Sequence, residues 1–143
     1  MKKIIAYIFI VLFYNCGTKP HPTIPTVEVD FYIYPTDLTY LNLSYDGGYV
    51  YVTGGVNGII VYRAIGTEFR AYDRACPYDW TDSDAWISVE DNGIILSCSR
   101  CGATFNILDG NLLTGPILFS NPETYTLKSY RTYYNGMRLH VYN

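Results

Sequence analysis

From Val27 onward the apolar positions come in short runs, some alternating with polar residues and some continuous, and turn residues separate them. The pattern predicts strands over 27–34, 49–53, 59–64, 68–73, 87–89, 94–97, 104–106, 124–130 and 137–142. The joints have a mechanism. Asn57-Gly58, Asp109-Gly110 and Asn135-Gly136 supply residues that tolerate positive φ in hairpin turns, and Asp91-Asn92-Gly93 does so in a longer loop. Along the last run Met137, Leu139 and Val141 are expected on one face and Arg138, His140 and Tyr142 on the other, which puts His140 on a solvated face. Short strands at this spacing predict an all-β, antiparallel sandwich with no long helix. The stretch before about Tyr45 is expected to be an extension rather than core.

Ahead of these runs lies a different kind of segment. Lys2 and Lys3 precede an apolar run from Ile4 to Tyr14, followed by Asn15-Cys16-Gly17. Eleven residues are fewer than the roughly 18 a bilayer-spanning helix needs, so the run has the layout of a signal peptide over residues 1–15. The cysteine directly after it resembles a bacterial lipoprotein box, with Phe13-Tyr14-Asn15 where Leu, a small residue and then Gly, Ala or Ser are usual. That resemblance implies lipidation of Cys16 and a place in the cell envelope, anchored to a membrane outside the cytoplasm. Residues 16–26 hold three prolines between Gly17 and Pro25 and no periodicity, so they form an extended tether. His21 within it is expected to be solvated. The remaining residues, 27–143, form one domain.

Composition narrows the function classes. Charged residues make up 16% of the chain and the net charge is −3, so no basic surface is available to neutralise phosphates and nucleic acid is excluded as a partner. Sixteen tyrosines suit half-buried sheets, and they and Trp80 and Trp86 are assigned to packing before any partner surface. The sequence has no nucleophile with a histidine partner, no spaced carboxylate pair and no phosphate loop, so a stand-alone catalyst is not expected.

The chemistry is concentrated in cysteines. Cys76 opens Cys76-Pro77-Tyr78-Asp79-Trp80, and Cys98 and Cys101 sit in Cys98-Ser99-Arg100-Cys101-Gly102. Each group follows a predicted strand, so two loop tips are placed to hold something between them. One C-x-x-C plus a distant cysteine leaves a fourth ligand to be found.

Glu68–Asp73 leading into Cys76-Pro77, then Cys98-x-x-Cys101-Gly102-Ala103-Thr104-Phe105, then Asp109-Gly110 and Gly115-Pro116, resembles the Rieske [2Fe–2S] family from about Tyr45 to the C-terminus. That family places C-x-H in one loop and C-x-x-H-G-x-x-F in a second, with a Gly-Pro loop closing over the cluster. The resemblance implies a Rieske-like β-sandwich with two ligand-bearing loops. Cys76 and Cys98 fall at the cysteine positions and Tyr78 and Cys101 at the histidine positions, with Asp79 as an alternative oxygen donor. Two anionic donors in place of neutral imidazoles would lower the cluster potential. The function implied is a membrane-anchored electron-transfer or redox accessory module, with an atypical [2Fe–2S] site and a redox protein as partner. Two alternatives stand beside it: a cluster-free domain serving binding or structure, with a disulfide between the loops, and a mononuclear zinc or iron site. In each case Cys76 is expected within a few ångströms of Cys98 and Cys101, beneath Gly115-Pro116, with Phe105 and Pro116 screening the sulfurs.

Overall fold

A computed structural model describes residues 23–116 and 125–143. The predicted signal peptide, Cys16, His21 and most of the tether lie outside these residues. Among these residues ten strands form two antiparallel sheets: β1 (Asp30–Ile33), β2 (Tyr49–Val52), β3 (Ile59–Arg63), β4 (Phe69–Asp73), β5 (Ile87–Val89), β6 (Ile95–Cys98), β7 (Thr104–Asn106), β8 (Leu112–Thr114), β9 (Ser129–Tyr134) and β10 (Leu139–Tyr142). The larger sheet has the order β1-β10-β9-β4-β3-β2 and the smaller one β5-β6-β7-β8. The expected all-β, antiparallel class is the observed one.

Two apolar cores explain why β3 reads Ile-Ile-Val-Tyr without alternation. Ile60 and Tyr62 face the smaller sheet and join Ile87, Leu96 and Phe105, while Ile59 and Val61 face the opposite way and join Leu43, Leu139 and Val141. A strand buried on both faces needs apolar side chains at every position. The second core gathers residues from β1 and β10 at one end of the larger sheet and from β3 near the other, so that sheet curls around it.

Four expectations are corrected. The stretch before Tyr45 is core: β1 pairs with β10, and Val29, Ile33 and Leu43 are buried. A 3-10 helical segment, Leu38–Ser44, broken at Tyr40 and capped by Asp37 accepting from the Thr39 N–H, carries Leu43 inward. The strand expected over 124–130 is β9 at Ser129–Tyr134, and β8 arises in a segment with no strand pattern, Thr104 and Phe105 of β7 providing its partner. Met137 is 70% exposed rather than in line with Leu139 and Val141. It lies in the β9–β10 hairpin loop, where Asn135 Oδ1 accepts from the N–H groups of Met137 and Arg138. His140 does stay on the outer face, stacked between Tyr32 and Tyr142 and 2.7 Å from Asp30 Oδ1, remote in the sheet from the cysteines.

Candidate metal centre

The first cysteine loop leaves β4 at Asp73 and returns in β5. Proline and small polar residues favour successive tight turns here. The Asp79 N–H bonds the Cys76 carbonyl, Asp82 N–H that of Asp79, and Ala85 N–H that of Asp82, while Cys76 N–H reaches the Ala85 carbonyl. The second loop joins β6 to β7. It closes where the Gly102 N–H meets the Cys98 carbonyl and the Cys98 N–H meets that of Ala103, with Gly102 at φ 70°, a conformation in which glycine carries no side-chain penalty.

Pairing of Ile87 with Cys98 sets the loops side by side. Ser99 then latches them: its Oγ donates to the Asp84 carbonyl at 2.6 Å and accepts from the Trp86 N–H at 3.3 Å, and its N–H donates to the Trp86 carbonyl. Arg100 and Asp82 add an exposed ion pair across the gap at 3.2 Å.

The consequence is convergence of three sulfurs. The Sγ atoms of Cys76, Cys98 and Cys101 all lie within 4.8 Å of one another, with Cys76 and Cys101 3.6 Å apart. All three are free thiols; Cys76 and Cys98 are buried and Cys101 is half-buried. Backbone N–H groups near the sulfurs favour their thiolate forms: that of Tyr78 at Cys76, those of Arg100 and Cys101 at Cys98, and that of Ala103 at Cys101. The proton distribution is unequal. The hydrogen bond from Cys76, with the two backbone N–H groups, holds Cys98 down at about 5, whereas donating that bond, together with burial, pushes Cys76 far up. Burial raises Cys101 as well.

The oxygen donors named from the sequence are placed differently. Tyr78 is buried and stacked on Tyr125 at 4.2 Å, and its hydroxyl packs so closely on Gly115 that a Cβ there would stand 2.5 Å from it. Burial raises the Tyr78 phenol, so it stays neutral. Asp79 is half-buried, and among the described residues no Asp, Glu or His joins the three sulfurs. Phe105 is fully buried in the same core as Cys76 and Cys98, and Gly115 lies against the Tyr78 hydroxyl.

The group implied by the resemblance fits this donor set poorly. A two-iron cluster needs ligands in two pairs, one pair at each end, and the Rieske type completes the outer pair with imidazoles. Here Cys76 and Cys101, which the resemblance assigns to opposite ends of the cluster, stand 3.6 Å apart, the separation of ligands sharing one metal: a thiolate–metal length of about 2.3 Å gives roughly 3.8 Å between sulfurs in a tetrahedron. The outer end would be left to a neutral, packed phenol.

Sequence reasoning did not single out Asp73, the one fully buried charged side chain among the described residues. Its Oδ1 accepts from the N–H groups of Ala75 (2.8 Å) and Asn57 (3.2 Å), and its Oδ2 from the Val56 N–H (2.7 Å) and the Tyr130 hydroxyl (2.6 Å). Asp73 thereby fixes the backbone one residue before Cys76. A charge ending an apolar strand just ahead of a cysteine loop was the available signal. Ser99 was visible only as a spacer within C-x-x-C.

No family model and no curated protein matches the sequence. Among solved structures the chain is similar to the ferredoxin of carbazole 1,9a-dioxygenase from Nocardioides aromaticivorans IC177, at 15% identity and TM-score 0.45, over 68% of this chain and 86% of that one. It is also similar to a putative NADH-dependent nitrite reductase small subunit from Mycobacterium tuberculosis, at 14% identity and TM-score 0.47, over 82% of this chain and 97% of that one. A third similar structure is the Escherichia coli protein NirD, at 13% identity and TM-score 0.46, over 80% and 98%.

Proposed function

We propose that the chain is a Rieske-like redox accessory module tethered to a membrane outside the cytoplasm, with the three-thiol centre as its redox-active element. The observation that carries this is the convergence of Cys76, Cys98 and Cys101 at two latched loop tips. Such a centre can change oxidation state at a fixed position: with Cys76 and Cys101 sulfurs 3.6 Å apart, loss of two electrons and two protons to an acceptor forms one disulfide and leaves Cys98 as the remaining thiol. The half-buried Cys101 offers a redox protein its approach, whereas Cys76 and Cys98 are closed off. Lipid on Cys16 and the proline-rich tether would hold this surface at the membrane. The resemblance also implies an atypical [2Fe–2S] cluster between Cys76, Cys98, Cys101 and Tyr78 or Asp79, and the donor set argues against that version.

Two measurements test the proposal. Anaerobically purified protein, taken through oxidation and reduction while its thiols and visible spectrum are followed, is expected to change reversibly. Three thiols that stay alkylatable after oxidation, with no spectral change, refute the redox role. Membrane fractionation tests the anchor: Cys16→Ser is expected to release the protein or leave it unprocessed, and an unaltered protein found free of membranes refutes the tether.

A further inference from the structure

We propose that the centre takes one thiophilic divalent ion, zinc or ferrous iron, held by Cys76, Cys98 and Cys101 together, in place of a two-iron cluster. Three observations carry it. The Cys76 and Cys101 sulfurs stand 3.6 Å apart, the spacing of thiolates around a single tetrahedral ion and too close for ligands divided between two irons joined through sulfide, and the Cys98 sulfur lies within 4.8 Å of both. The C-x-x-C turn is closed by backbone bonds from the Gly102 N–H to the Cys98 carbonyl and from the Cys98 N–H to the Ala103 carbonyl, and it presents both of its sulfurs to Cys76. The loops are also fixed without metal, through Ser99, the Ile87–Cys98 pairing and the anchoring of Ala75 by Asp73, so binding does not have to order them.

Among the described residues the fourth position is not closed as it is in a structural site. No Asp, Glu or His of the described residues joins the cysteines, and the phenol at the nearest family position is packed against Gly115 and Tyr125. Three protein ligands with the fourth supplied from solution is the arrangement of a site that exchanges ligands. Cys101, the half-buried cysteine, marks the side from which such a ligand would enter. Thiol ligands must give up their protons to bind the ion, so uptake must weaken in acid.

Assigning an ion here rests on the three-thiol centre described above, but not on that centre being redox-active. The test uses the full chain, reduced, metal-free and under anaerobic conditions, titrated with Co2+ as a spectroscopic probe and then challenged with Zn2+. The expected result is one Co2+ per chain, with thiolate-to-metal charge-transfer absorption that Zn2+ abolishes. Cys76→Ser, Cys98→Ser and Cys101→Ser should each weaken binding by about 100-fold or more, since even the outer partners of metal ligands are worth about 10- to 100-fold. Because these variants can also unfold the domain, alkylation of the unaltered protein gives a second readout: one equivalent of Zn2+ should protect three thiols together. No Co2+ uptake at micromolar concentration overturns the proposal, as does protection of fewer than three thiols. Two irons with acid-labile sulfide in protein purified from cells also overturn it, in favour of the cluster. Stoichiometric metal uptake without any reversible redox change upholds the ion and refutes the redox role, whereas reversible disulfide formation without metal uptake does the reverse.

Discussion

Replacing Asp73 by alanine removes a carboxylate that accepts four hydrogen bonds and is fully buried. The four donors do not suffer equally. Val56 and Asn57 N–H are part-buried, so water can replace the acceptor there at little cost. The Ala75 N–H and Tyr130 hydroxyl bonds are buried, and a stranded buried donor costs about 1–3 kcal/mol. Two of them give about 3 kcal/mol, which for a domain of this size is a melting-point drop of roughly 12 °C. Asp73→Asn should cost about half as much. Its remaining carbonyl can still accept from Ala75 and Asn57, and the Tyr130 hydroxyl can turn to accept from the new amide, leaving only the Val56 N–H facing a donor. Urea unfolding followed by tryptophan fluorescence measures both. The double variant Asp73→Ala with Tyr130→Phe should cost less than the sum of its parts, because the phenylalanine has no hydroxyl to strand. An alanine variant within about 1 kcal/mol of the unaltered protein, or an asparagine variant as unstable as the alanine one, would show that this network does not hold the loop.

Gly110→Ala should destabilise more than Gly136→Ala in a thermal melt. Both glycines have positive φ, 72° and 91°, but a Cβ at Gly110 would meet Tyr72 Cε1 at 2.8 Å while one at Gly136 meets nothing within 4 Å, so the first variant should lose about 2–3 kcal/mol and the second about 1. Equal losses would refute the contact. The thiols predict a pH dependence for the reduced, metal-free protein. Cys98 is lowered from 9.0 to about 5, so the stability it contributes is complete above pH 9 and is lost as pH falls through about 5; Cys76 is raised, so its contribution is present below pH 9 and lost as pH rises through its higher native value. Stability should therefore climb from about pH 5 to about pH 9 and decline beyond. Urea midpoints across that range check it, and a Cys98→Ser variant with the same climb would assign the effect elsewhere.

Much of the fold was legible because local chemistry and tertiary role agree. The run Ile59–Tyr62 is apolar at every position and is buried on both faces; Leu139 and Val141 alternate with His140 and Tyr142 and face inward. The cysteine loops were legible for a related reason. Pro77, Gly102 and the C-x-x-C spacing restrict the backbone wherever they occur, so the turns that present the sulfurs are written locally.

What the sequence by itself determined is therefore most of the strands, the positions of the two cysteine loops and the absence of a histidine next to them in the chain. Tertiary structure decided the rest, since pairing partners distant in the chain carry the information. β8 is a strand because β7 offers it an edge, and β1 belongs to the core because β10 stands 110 residues away to receive Asp30 beside His140. Asp73 is a hub only after Val56, Ala75 and Tyr130 have been brought around it. The placing of the candidate ligands was decided the same way. The order of residues places Tyr78 as near the metal position as any cysteine, but burial keeps its phenol neutral and Gly115 and Tyr125 hold its ring, while the pairing of Ile87 with Cys98 draws three thiols to one point.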